Sequence, residues 1–247
     1  MFWRKQKAAI ERFHPLHKAL TLEKAFSVSL HRDDWEPVIR SLAGHDAEIR
    51  RRKWRLNGRV PAVLVPMLRI LAADMPPHGT LSVTADLRGP RAPGKAGPQQ
   101  SLPNRGPISR MQQWYVMDPW LRMRAELRDG SVLELSVTDR IRHRKYRKRN
   151  PRGKVKLKHK TKAVQMVQVT RRLAKDAPTR RPESPPPGRI AVQGKQGKRQ
   201  TIRAKAKWQE PHEDEHVMAR IMQVMTEPFR WTPPGSAPAQ GHAGRRT

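Results

Sequence analysis

Between Trp120 and Leu173 the chain reads as three consecutive strands separated by two turn signals, and this meander constrains the fold more than any other feature. Leu121, Met123, Ala125 and Leu127 alternate with Arg122, Arg124, Glu126 and Arg128. Such a period of two marks a strand with one buried and one wet face. Asp129-Gly130 then signals a hairpin. A two-residue loop would pair Leu127 with Val132 and mix the faces. A three-residue loop, Asp129-Gly130-Ser131, pairs Leu127 with Leu133, Ala125 with Leu135 and Met123 with Val137, and the buried face selects it.

The second turn is Asn150-Pro151-Arg152-Gly153-Lys154, a run of turn-favouring residues. Pairing Asn150 with Lys154 aligns Ile141 with Ala163, Val137 with Val167 and Leu135 with Val169. Apolar residues then meet at the base of the hairpin and thin towards its tip. One face carries Arg142, Arg144 and Lys148 opposite Lys156, Lys160 and Lys162, with Tyr146 and Lys158 between. The other carries His143, Lys145, Arg147 and Arg149 beside Val155, Leu157 and His159. From Arg140 to Lys162 there are thirteen Lys or Arg and no acid. Like charges opposite one another destabilise a hairpin. The sequence therefore predicts an arm anchored at its base and mobile at its tip until an anion binds, with a reach of roughly 30 Å at the usual strand rise.

Composition points to the same partner class. Lys plus Arg number 52 against 21 acids, a formal net charge of +31, and self-repulsion on that scale is relieved by an anionic partner. DNA or RNA is expected first, an anionic membrane, envelope polymer or acidic protein second. The expected binding residues are Arg142, Arg144, Lys145, Arg147, Lys148, Arg149, Pro151, Arg152, Lys154, Lys156, Lys158, Lys160 and Lys162. Evenly spaced cations suit phosphate contact, which positions a nucleic acid but carries little sequence information.

Arg149-Asn150-Pro151, with Gly153 close behind, resembles the Arg-Asn-Pro tip of the DNA-bending arm in bacterial histone-like proteins. The resemblance is confined to the tip and the basic strands beside it; the threonine usual in that tip is missing, and the rest of the chain does not match that family's helix pair. It implies that Pro151 wedges between base pairs.

Cysteine is absent, which excludes thiol catalysis, disulfides and Cys-based zinc fingers. The basic N-terminus is followed by no apolar run, so no signal peptide is expected. Val60 to Met75, interrupted by Pro61, Pro66, Arg69 and Asp74, is too polar to span a bilayer. A cytoplasmic protein is the default expectation.

His212-Glu213-Asp214-Glu215-His216 matches the His-Glu-x-x-His pattern of zinc metalloproteases. Its spacers are acidic, Pro211 places it at a helix start, and no third ligand is apparent. The simpler reading is a helix whose acidic first turn complements its dipole, with a core stripe of Val217, Met218, Ile221, Met222 and Met225. No catalytic residue, metal or cofactor is expected. Gln193-Gly194-Lys195-Gln196-Gly197-Lys198-Arg199 fits no phosphate-loop spacing and reads as a basic turn between strands 189–192 and 200–208. Arg203, Lys205 and Lys207 would extend the positive surface of the sheet. Trp3, near Arg4, Lys5 and Lys7, is a candidate membrane or base contact on a weakly amphipathic helix with Ile10 and Phe13.

Elsewhere the sequence predicts a strand at 26–30, a helix from Asp33 to Ala43, a strand at 49–56, a helix at 60–73 with its stripe of Leu64, Met67, Leu68 and Leu71, and a strand at 81–87. The resulting fold class is α+β: an antiparallel sheet with a long basic hairpin arm, packed by two or three helices. The parts are a mixed front (1–88), a flexible Pro/Gly linker (89–111), the meander (112–173), a Pro-rich linker (174–188), basic strands with a C-terminal helix (189–231), and a disordered tail (232–247).

Overall fold

Every alternating run becomes a strand, except at 49–56. A computed structural model describes residues 2–209 and 214–232; the tail from 233 onwards, with His212 and Glu213 of the His-Glu-x-x-His pattern, lies outside the described residues. The fold is mixed α+β around one antiparallel sheet of eight strands: β1 (Ala25–His31), β2 (Thr80–Asp86), β3 (Gln100–Leu102), β4 (Ile108–Glu126), β5 (Val132–Arg149), β6 (Val155–Arg172), β7 (Ala191–Lys195) and β8 (Thr201–Gln209). The spatial order is β1-β2-β4-β5-β6-β8-β7, with β3 on β4.

One register differs from the expected one. Ala125 faces Leu133, Met123 faces Leu135 and Leu121 faces Val137, two residues from the expected pairing. A slip of two returns every side chain to the same face, so the buried-face criterion cannot separate these registers. Backbone sterics decide. Gly130 sits at φ +76°, the left-handed third position of the loop Arg128-Asp129-Gly130, where glycine meets no Cβ penalty. Leu127 N–H donates to the Ser131 carbonyl at 2.8 Å, and the Asp129 carboxylate accepts from the N–H and hydroxyl of Ser131. The second loop, Pro151-Arg152-Gly153, has the same form with Gly153 at φ +77°. There Ile141 faces Ala163, Val137 faces Val167 and Leu135 faces Val169, as the sequence predicts.

The helices lie on one face of the sheet: α1 (Phe2–Arg12), α2 (Pro15–Leu22), α3 (Trp35–Ala43), α4 (His45–Glu48), α5 (Val65–Ala73) and α6 (Asp214–Thr226). Trp35, Val38, Leu64, Met67, Leu68, Val217 and Ile221 pack into one core with Leu121, Met123, Leu135, Val137, Val167 and Val169. Each such side chain contributes about 1.5–3 kcal/mol on burial. A wide π-turn (Val60–Leu64) leads into α5, with Val65 N–H donating to the Val60 carbonyl. Pro66 has no N–H, and its ring would crowd an ordinary turn; the widened turn accommodates it. Asp34, not Asp33, holds the cap position of α3, and its side chain makes no capping bond.

The strand expected at 49–56 is absent. Residues 52–54 form a 3₁₀ turn, because Arg50-Arg51-Arg52-Lys53 breaks the alternation. Ile49 packs instead on Ala9 and Ile10 of α1, flanked by Phe13 and Trp54.

The Pro/Gly-rich stretch 89–111, expected to be a linker, contributes β3 and a buried lysine. Gly97 N–H donates to the Tyr115 carbonyl and Met117 N–H to the Lys95 carbonyl, both at 2.8 Å. Lys95 Nζ lies 2.6 Å from Asp118 Oδ1 and 3.0 Å from Asp86 Oδ2. Composition alone misses this tether because two backbone bonds and one buried cation replace a hydrophobic anchor. Asp86 is held well below the usual carboxylate range, first by its hydrogen bond from Arg88.

Among the helices, Ser41, His17 and His45 form a polar chain beneath Phe13. His14 N–H donates to Ser41 Oγ at 3.2 Å, Ser41 Oγ lies 2.9 Å from His17 Nδ1, and His17 Nε2 lies 2.8 Å from His45 Nδ1. These links are made with both imidazoles neutral and one proton between the rings, while His45 Nε2 is buried without a hydrogen-bond partner. Burial pushes His17 down to about 4, and the neighbouring His45 adds to it. The folded state thus resists a proton that the unfolded chain accepts below its ordinary value of 6.5. Stability is therefore full above pH 6.5 and is lost as pH falls towards 4, by on the order of 2 kcal/mol. Urea titrations across that range should show the loss, and His17→Gln should flatten it.

Candidate polyanion-binding face

Among the described residues, helices cover the sheet on one side only. Strand pairing fixes which side chains occupy the other side, because each register keeps parity along a strand. On β5 that open side carries Arg140, Arg142, Arg144 and Lys148; on β6 it carries Lys156, Lys158, Lys160, Lys162 and Arg172. Arg122 and Arg124 of β4 continue it, and so do Arg203, Lys205 and Lys207 of β8. Ser82 and Thr84 of β2, hydrogen-bonded to Ser29 and Ser27, complete its far edge. Glu134 offsets Arg172 across 3.2 Å.

The expected binding residues divide between two sides and a loop. Arg142, Arg144, Lys148, Lys156, Lys158, Lys160 and Lys162 share the open side. Lys145, Arg147 and Arg149 point to the opposite side, while Pro151, Arg152 and Lys154 sit exposed at the turn. Arg142 and Arg144 are half-buried and the other cations among the thirteen are exposed. Among the described residues, no ion pair involves any of them. Arg142 faces Lys162, Arg144 faces Lys160 and Lys148 faces Lys156 directly across the strands.

A two-stranded ribbon was expected beyond Ile141, whereas three strands run there. Beyond a bulge at Trp120, β4 stays beside β5 to the pair Ile108 and Lys148, and Arg149 N–H donates to the Pro107 carbonyl at 2.9 Å. The upstream strand was not legible because the bulge shifts the parity of its apolar residues. Three strands about 4.8 Å apart are wider than a minor groove of about 6 Å.

Where β4, β5 and β6 meet β8, a hollow of about 160 Å³ is lined by Tyr115, Arg140, Arg142, Lys162, Val164 and Gln209. Arg140 lies over the Tyr115 ring at 5.7 Å. Arg144 Nε donates to Gln113 Oε1 at 2.6 Å, and Gln113 Nε2 donates to the Tyr115 hydroxyl at 3.2 Å. Three cations, Arg140, Arg142 and Lys162, thus line a space large enough to admit a phosphate group, with Tyr115 beside them. Arg140 and Tyr115 were not among the expected residues; only the β4–β5 register could have brought them there. A second hollow of about 290 Å³ runs along the same face past Ser82, Thr84, Arg122, Arg124 and Ser136.

No helix among the described residues is long and apolar enough to cross a membrane. No protein-family model, curated protein or solved structure matches the chain.

Proposed function

We propose that this protein binds the backbone of DNA or RNA, without catalysis and with low sequence specificity, across the open face of the sheet and its long basic hairpin arm. The observation that carries this reading is the row of directly opposed cations, Arg142 with Lys162, Arg144 with Lys160 and Lys148 with Lys156, with no acid paired to them among the described residues. Such a row destabilises the sheet by itself and becomes favourable once phosphates intervene. The width of three strands favours face-on contact with phosphates over insertion into a minor groove. An anionic membrane is the weaker reading: of the apolar residues this N-terminal run would offer a lipid surface, Ile10 is buried against Ile49 and Phe13 packs on them, while the side chain of Trp3 lies outside the described residues.

Titration of nuclease-treated protein against duplex DNA, single-stranded RNA and anionic vesicles at two salt concentrations tests the reading. Nucleic acid should bind with a slope of log K against log salt near −5 if about six phosphates are neutralised. Vesicle binding without nucleic-acid binding would replace it. The resemblance at the tip adds one consequence. Pro151→Ala is expected to reduce the bend imposed on a duplex, measured by fluorescence transfer between its ends, while affinity changes little; an unchanged bend removes the wedge and leaves the phosphate contacts.

A further inference from the structure

The covered side of the sheet ceases to be covered before the strands end. Arg59, which precedes the π-turn, reaches Asp139 at 2.6 Å, and beyond that point exposure rises along the same side. Val155 is 52% and Leu157 62% exposed, and Lys145, Arg147, Arg149 and His159 are exposed beside them. Trp114 of β4 lies directly opposite His143 of β5, and Lys145 lies opposite His159 of β6.

These three aromatic side chains form one array. Ring centroids are 5.1 Å apart for Trp114 and His143, 5.4 Å for His143 and His159, and 5.9 Å for Trp114 and His159. The planes lie within 18° of parallel in every pair. Offset parallel stacking of this kind leaves π-faces aligned in one direction. Burial, then the neighbouring His159, lowers the pKa of His143, which favours its neutral form. Lys145, Arg147 and Arg149 of β5 flank the array on the same side, and exposed Val155 and Leu157 of β6 extend it as an apolar shelf.

We infer that Trp114, His143 and His159 form a stacking platform for an unpaired base, so that the preferred ligand is a nucleic acid with a single-stranded stretch. Lys145 and Arg147 take the phosphates next to the stacked base. The inference rests on the polyanion-binding reading and specifies its ligand. An ordinary duplex hides its π-faces within the stack, whereas a single strand presents them. Lipid headgroups and acidic peptides carry negative charge but offer no comparable flat ring.

The test separates base stacking from charge. Oligothymidylate and an abasic strand of the same length carry the same phosphates and differ only in bases. Wild-type protein should prefer oligothymidylate on the order of tenfold at equal salt, and tryptophan fluorescence should fall with oligothymidylate only. Trp114→Ala should abolish the preference while leaving the salt slope unchanged; Trp114→Phe should keep most of it. Should Trp114→Ala fail to fold, His159→Ala, at an exposed position, should lower the preference without loss of structure. Equal binding of both strands by wild type would overturn the platform and leave the backbone reading intact. Binding of neither strand would remove that reading and the platform with it.

Discussion

Changing Lys156, Lys158, Lys160 and Lys162 together to glutamine should weaken oligonucleotide binding on the order of a thousandfold near 0.1 M salt. Each neutralised phosphate contributes about 0.7–0.9 to the salt slope. Four lost contacts therefore lower the slope by about 3, and an electrostatic contribution that vanishes near 1 M salt loses about three decades at 0.1 M. Removing the same charge elsewhere is the control: Lys5, Lys7, Arg50 and Lys53 are exposed and lie in or beside the helices, so their replacement should cost less than tenfold. The quadruple variant should also melt at a higher temperature than wild type. Lys156, Lys160 and Lys162 each face a cation across the hairpin, and relieving such a contact gains about 0.2–1 kcal/mol. Loss of binding distinguishes a binding surface from a solvated one, whose replacement would relieve the same repulsion but leave oligonucleotide affinity unchanged.

The meander was legible because its signal is local. Alternation names the faces of β4, β5 and β6 and places the second turn; the first is read one residue late, because alternation cannot separate registers two apart. The Arg142 and Lys162 pair follows from counting outward from Asn150. The length of β4 and the hollow beside Tyr115 did not follow. Both depend on the bulge at Trp120, which changes the parity of Trp114 and Val116 relative to Leu121. A bulge leaves no mark in composition. The open face as a whole was visible only in pieces, as Arg122 and Arg124 on one strand and Arg203 and Lys205 on another. Tertiary pairing joins strands far apart in sequence, and only that pairing shows them on one side. The segment at 49–56 misleads in the opposite sense, since Trp54 and Leu56 show strand spacing while their partners are helical.

Lys95→Met should destabilise the fold by about 3–5 kcal/mol, because it leaves Asp118 buried and unpaired. Asp118 is 2% exposed. Its partner is Lys95 Nζ, whereas Asp86 keeps Arg88 at 2.9 Å. Breaking the pair thus strands one carboxylate, not two. The double variant Lys95→Met with Asp118→Leu should recover most of the loss, since replacing both members of a buried pair by apolar groups removes the desolvation cost along with the attraction. Urea unfolding of the four proteins of this cycle measures the coupling. Additive losses would mean that Lys95 and Asp118 do not interact. The electrostatic design makes the position a revealing one. With 21 acids against 52 basic residues, the chain places several carboxylates in wholly or partly buried pairs: Asp118 with Lys95, Asp139 with Arg59 and Asp129 with Arg171. Each neutralises a cation that the fold wholly or partly buries, and none is spent on the cations of the arm. Asp118 and Asp139 face one another across β4 and β5, where the covered part of the sheet gives way to its basic extension. Loss of the Lys95 tether should therefore also raise amide exchange at Gly97 and Met117, and loosen the β4 segment that carries Trp114 and Tyr115.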